Sequence, residues 1–118
     1  MVRIDDLAEA ALTGDALRLR SLAQDWLGEN PSITRSAPPQ SSDPTLRAIA
    51  AGLAEMFAER RGELHPTWSE RIEAAPVPVY LVKAAQTMMR LRRICETESP
   101  LALRKRNLLA PPTFLEFA

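Results

Sequence analysis

The stretch DPTLRAIAAGLAEMFAERRG, residues 43–62, reads as one helix from cap to cap. Asp43 offers a side-chain acceptor to the free N–H groups of a first turn. Pro44 takes the first helical position, where a missing N–H costs nothing. Leu46, Ile49, Ala50, Leu53, Met56 and Phe57 then recur at the three- and four-residue intervals of an apolar helical face, and Gly62 supplies the stop. Arg47, Glu55, Glu59 and Arg60 fall on the opposite side, which this pattern assigns to solvent.

Upstream, Ile4, Leu7, Ala8, Ala11 and Leu12 sit at helical spacing, Gly14 allows a tight turn, and Asp15 is placed to cap a second helix. That helix carries Leu19, Leu22, Ala23, Trp26 and Leu27 in one stripe and ends at Gly28, so residues 4–28 read as an αα-hairpin. Ala-Leu-Thr-Gly-Asp at 11–15 resembles the inter-helix turn of ankyrin or tetratricopeptide repeats. No second copy follows at their period of about 33–34 residues, which argues against a solenoid. Between the hairpin and the quoted stretch, residues 28–44 hold four of the ten prolines and four serines without any periodicity. This composition predicts a flexible loop or linker.

Downstream, Thr67 and Glu70 have capping-box spacing and predict a short helix bearing Trp68 and Ile72. Ala75-Pro-Val-Pro-Val79 is barred from helix, because each proline pushes its predecessor into extended geometry. After Pro78, Leu81, Ala84, Ala85, Met88, Leu91 and Cys95 predict the longest helix of the chain, running to about Glu98. Ser99-Pro100 starts another short one, Leu101 to about Asn107. The tail from Leu108 to Phe117 is apolar and stiffened by proline, and Thr113 and Glu116 are spaced to cap one last turn. Val77–Val82 is the only β-like run, and prolines interrupt its start. The expected fold is therefore all-α: residues 1–118 as a single domain, a compact bundle of about five main helices with one or two short ones. The apolar tail either seals this core or lies against a partner or a second copy.

Composition narrows the function. The chain has 118 residues, 46% apolar and 25% charged, the make-up of an ordinary soluble domain. No apolar run approaches the ~20 residues of a membrane-spanning helix, and residues 1–20 lack a signal-peptide core. One cysteine, Cys95, excludes an internal disulfide and fits a reducing cytoplasm. With one histidine, His65, it cannot furnish a zinc site. Cys95 lies on an apolar stripe and reads as an inert buried thiol, although Arg92 one turn earlier could lower its pKa. Asp5-Asp6 and Glu96/Glu98 suit a helix start and the end of an arginine-rich helix. No P-loop, GxGxxG or HExxH occurs. No catalytic, metal or cofactor site is expected, and an enzyme is not.

Fifteen Lys and Arg offset fifteen Asp and Glu, yet the halves differ. Residues 1–59 hold five basic and nine acidic side chains, whereas residues 60–118 hold ten and six. The basic excess concentrates in Arg90, Arg92, Arg93 and in Arg104, Lys105, Arg106. Five arginines to one lysine favour fixed recognition of carboxylate or phosphate over mere solubility. Three readings are open: a solvated face, a surface for an acidic protein, or a nucleic-acid surface. Net neutrality, a pI near 6.6 and few aromatics weigh against the last. Asp15 and Asp25 on the second helix also weigh against DNA binding through the amino-terminal hairpin.

Pro76-Val-Pro-Val-Tyr80, Leu91-Arg-Arg-Ile-Cys-Glu-Thr-Glu-Ser-Pro100 and Leu103-Arg-Lys-Arg-Asn-Leu-Leu-Ala-Pro-Pro-Thr-Phe-Leu115 together resemble the carboxy-terminal signature of a group of small uncharacterised bacterial proteins. That signature joins a Ser-Pro, an Arg-rich stretch and a Pro-x-x-Phe-Leu-like ending. The resemblance spans about residues 64–118. It implies a gene beside one for a nucleotidyltransferase-like protein, as in toxin–antitoxin pairs. Longer members carry a DNA-binding helix-turn-helix ahead of this segment, where the present chain has only its acidic hairpin. The expected function is a cytoplasmic, non-enzymatic protein-binding module, antitoxin-like, that engages a nucleotidyltransferase and forms a possible homodimer. The alternative is a nucleic-acid-binding regulator. The expected contact surface is Arg90, Arg92, Arg93, Arg104, Lys105 and Arg106 around Phe114, Leu115 and Phe117.

If Leu53 and Leu91 are both core residues, Leu53→Ala and Leu91→Ala each cost about 2–5 kcal/mol in urea unfolding.

Overall fold

The computed structural model describes residues 1–117. Among them are five α-helices, α1 (Ile4–Thr13), α2 (Ala16–Glu29), α3 (Pro44–Arg61), α4 (Met89–Glu98) and α5 (Leu101–Arg104), three single 3₁₀ turns, and two strands of two residues each. Among the described residues no helix is long and apolar enough to cross a membrane.

Helix α3 forms where the caps place it. The Asp43 carboxylate accepts the Leu46 N–H at 3.4 Å, Pro44 opens the first turn, and Gly62 closes the last. Its surroundings differ from the amphipathic expectation, for every residue from Ala48 to Ala58 is buried. Helix α1 packs along one side, α5 along another, and the 3₁₀ turns at Ile33–Arg35 and Ser69–Arg71 cover the remainder. Six of those eleven buried positions are Ala or Gly. Small side chains let neighbours crowd in from all directions, and a helix enclosed all round loses its solvent stripe. The approach is closest at Gly52, where a Cβ would stand 2.7 Å from Leu108 Cδ1 and 3.1 Å from Leu103 Cδ2.

Helix α1 leads through Gly14 (φ 77°) and Asp15 into α2, whose first turn is capped by the Asp15 carboxylate on the Arg18 N–H at 3.1 Å. Leu19, Ala23 and Trp26 of α2 are buried, and the Trp26 ring meets Phe57 of α3 with centroids 6.1 Å apart. Leu12 faces solvent instead of the core. Arg61 reaches back from the end of α3 to the Leu27 and Asn30 carbonyls at 3.1 and 3.0 Å, which answers acceptors that α2 leaves open.

Residues 28–44, expected to form a flexible linker, are docked along the bundle. Ile33 and Ser36 are buried. The Ile33 N–H donates to the Glu63 carboxylate, the Thr34 hydroxyl to the Leu64 carbonyl, and the Trp68 indole N–H to the Ser36 carbonyl. Asp5 accepts the backbone N–H groups of Gln40 and Ser41 at 3.0–3.1 Å. Serine and proline dominate the composition, yet one isoleucine and four long-range hydrogen-bonded anchors hold the path.

The segment after Pro78 departs further from expectation. It divides into strand β1 (Val79–Tyr80), a 3₁₀ turn (Lys83–Gln86) and the ten-residue α4, so α3 is the longest helix described. Strand β1 pairs in parallel with β2 (Leu108–Leu109). The Val79 and Leu81 N–H groups donate to the carbonyls of Asn107 and Leu109, at 2.8 and 2.9 Å, and this ladder holds the backbone extended where the helix was expected to begin. A tertiary pairing thus overrides the local helical spacing. The short helix expected at Thr67 is a single 3₁₀ turn. Leu91 is only half-buried, so its truncation falls below the range expected for a core leucine, whereas Leu53 is fully enclosed.

The tail turns back on its own molecule. Phe114 is 9% exposed and belongs to the core, while Leu115 and Phe117 pack against its edge. The Arg20 guanidinium lies over the Phe117 ring, 5.4 Å from its centroid.

Gly52→Ala tests the crowding around α3. Alanine is the better helix former by about 1 kcal/mol, so an uncrowded site would be stabilised. Here Leu103 and Leu108 are fully buried and have nowhere to go. The expected result is a net loss of about 1–3 kcal/mol in urea unfolding.

Candidate functional site

The second arginine cluster folds inward. Beyond α5, burial alternates: Arg106, Leu108 and Ala110 are buried, while Asn107 is exposed and Leu109 half-exposed. Arg106 therefore shares a face with two core residues and points at α3. Its guanidinium makes a two-pronged bond to Glu55, Nη1 to Oε1 at 2.6 Å and Nη2 to Oε2 at 3.0 Å, and Nη2 also donates to the Ser69 carbonyl at 2.7 Å. Lys105 Nζ reaches Glu55 Oε1 at 2.7 Å from the solvent side. His65 completes the cluster, with Nε2 2.8 Å from Glu59 Oε2 and Nδ1 3.7 Å from Glu55 Oε2.

Glu55 and Arg106 were both expected at the surface; they are 0% and 4% exposed. The reason is mutual. A lone charge on an enclosed helix is tolerated only with a partner, and each residue supplies the other's. Burial by itself raises the Glu55 carboxyl, but hydrogen bonds from Arg106, Lys105 and Ser69 outweigh it and hold the pKa at about 2. So acidic a carboxyl, saturated with donors, is a poor base at neutral pH. Its chemistry is structural: it fixes the carboxy-terminal strand against α3.

Arg104 is also committed. Its Nη2 donates to the Thr97 and Ser99 carbonyls at 3.1 and 3.0 Å, closing the end of α4. Buried Ser99 bridges the Cys95 carbonyl and the Ala110 N–H. Burial pushes the Cys95 thiol pKa up, and nearby Glu96 adds to it, so the lowering expected from Arg92 does not occur. Among the described residues no group of His, Cys, Asp and Glu side chains is arranged to hold a metal ion.

The first cluster lies outward on α4. Arg92 is tied down: its Nε donates to the Tyr80 hydroxyl at 3.2 Å, its guanidinium stacks over that ring at 5.1 Å, and the hydroxyl donates to Glu96 at 2.6 Å. Arg90 and Arg93 have no side-chain hydrogen bond or ion pair among the described residues. They are one helical turn apart, with Met89 (77% exposed) on the same outward side. Helix α4 packs chiefly on the 3₁₀ turn just before it and buries only Cys95. Of the nine residues expected to form one contact surface, Arg106 and Phe114 are buried, Arg104 and Lys105 are engaged internally, and Leu115 and Phe117 cover the core. Met88 and Met89, exposed at the start of α4, were not singled out in the sequence. The signal was available, since Met88-Met89 stands directly before the arginines.

The Glu55–Arg106 pair makes two predictions that one set of variants checks. Glu55→Ala leaves a buried guanidinium uncompensated and costs about 3–5 kcal/mol in urea unfolding. The folded carboxyl titrates below its unfolded value of 4.5, so its contribution is complete above that pH and is lost as pH falls toward about 2. That depression is worth about 3 kcal/mol, and acid unfolding of Glu55→Gln should lack this component.

Comparison of the chain with protein-family models, with curated proteins and with solved structures finds no match.

Proposed function

We propose that this chain is a non-enzymatic protein-binding module that engages an acidic partner protein through the outward side of α4. The observation that carries this reading is the pairing of exposed Met88 and Met89 with Arg90 and Arg93, whose guanidinium groups have no partner among the described residues. Unbranched methionines adapt to an apolar surface, and flanking arginines give a planar, two-pronged match to carboxylates. The anchor is thus the methionine pair, in place of the aromatic tail.

The resemblance of residues 64–118 to small bacterial proteins encoded beside nucleotidyltransferases supports a nucleotidyltransferase as that partner. The module is antitoxin-like and binds the carboxylates around the metal site of a nucleotidyltransferase, which blocks catalysis. A cytoplasmic location belongs to the same reading, and the single cysteine is in keeping with it.

Co-purification with the product of the neighbouring gene tests the reading. The expected result is a complex that Arg90→Glu/Arg93→Glu weakens about tenfold or more, with folding stability changed by less than about 0.5 kcal/mol. No complex at micromolar concentration and low salt would overturn it. So would tight binding of DNA or RNA that falls steeply with salt, the mark of a nucleic-acid regulator using the same arginines.

A further inference from the structure

A second surface shares no lining residue with the outward side of α4. The first turn of α2, residues 81–84 and the closing turn of the chain enclose an open groove of about 460 Å³. Leu19, Leu81 and Phe114 form its floor, and Val82, Ala84 and Leu115 its walls. Leu17 stands on the lip, 84% exposed, the most exposed leucine described. Four charged residues ring the groove, Asp15 and Glu116 against Arg20 and Lys83. Two of them are held in position, Asp15 by its bond to the Arg18 N–H and Arg20 over the Phe117 ring.

We propose that the occupant of this groove is a second copy of the chain, each copy inserting Leu17 into the groove of the other about a two-fold axis. A groove that carries a free leucine on its own lip supplies both the socket and the plug, as an isologous contact requires. Rim charge argues for the same partner. A strongly acidic or basic protein would meet two like charges, whereas a rim with two of each sign is complementary to itself. A net charge of zero on the whole chain leaves no long-range repulsion between copies. None of Met88, Met89, Arg90 and Arg93 lines the groove, so the contact goes beyond the proposed function.

Sedimentation equilibrium of the full chain, from low to high micromolar concentration, tests the proposal. The wild type is expected to move from monomer to dimer across this range. Leu17→Asp should remain monomeric with an unchanged helical circular dichroism spectrum. Leu64→Asp, which removes a leucine of similar exposure (80%) outside the groove, should dimerise like the wild type. Lys83→Glu upsets the rim balance and should raise the dimer dissociation constant about tenfold. A wild type that stays monomeric throughout would overturn the proposal. So would a dimer that survives Leu17→Asp, or one lost equally in Leu64→Asp.

Discussion

A carboxylate in the middle of an enclosed helix sets the terms for the rest of this molecule. Glu55 is surrounded on α3 by alanines and core residues, and removing it from water is costly unless a cation comes with it. Arg106 is that cation, and its position dictates much else. The strand that follows it lies against α3 at Gly52 through Leu108, and its carbonyls claim the N–H groups of Val79 and Leu81. That pairing denies residues 79–82 a helix and leaves α4 as a separate, lightly packed element. A buried pair of this kind adds little net stability compared with an apolar core. Its effect here is on register, since the two-pronged geometry admits one alignment of the carboxy-terminal strand.

Much of the architecture was legible in the sequence because it is local. Asp15, Asp43, Gly14 and Gly62 announce where helices start and stop, and the apolar intervals of α1, α2 and α3 place their buried faces. The misreadings share one cause, contacts between residues far apart in the chain. Residues 28–44 look like a linker until Asp5, Glu63 and Trp68 are seen holding them. Residues 81–88 keep helical spacing, but Val79 and Leu81 just at their start are tied to a strand more than twenty residues later. Glu55 reads as a solvent-side charge because periodicity records neighbours along the helix and is blind to what packs against it. One clue was present: between Ala48 and Ala58 it is the only charged residue, with an arginine-rich run downstream to answer it.

The surface assigned to a proposed partner was legible in part. The charge clusters were visible, but composition does not distinguish a guanidinium turned inward from one turned outward. Three arginines divide cleanly once the backbone is known. Arg106 neutralises a buried acid, Arg104 closes the end of α4, and Arg92 fastens that helix to Tyr80. Only Arg90 and Arg93 remain for a proposed partner, beside two methionines. The aromatic tail, which looked like an anchor for another protein, completes the core through Phe114.

The two ends of the buried ion pair are 51 residues apart, with Arg106 the later to leave the ribosome. Until then the nascent chain lacks both the countercharge for its central helix and the apolar cover that Leu108 lays on Gly52. In vectorial synthesis the final packing of α3 thus waits for the carboxy-terminal strand. Countercharge and apolar cover therefore reach the central helix together, both carried by the last segment of the chain.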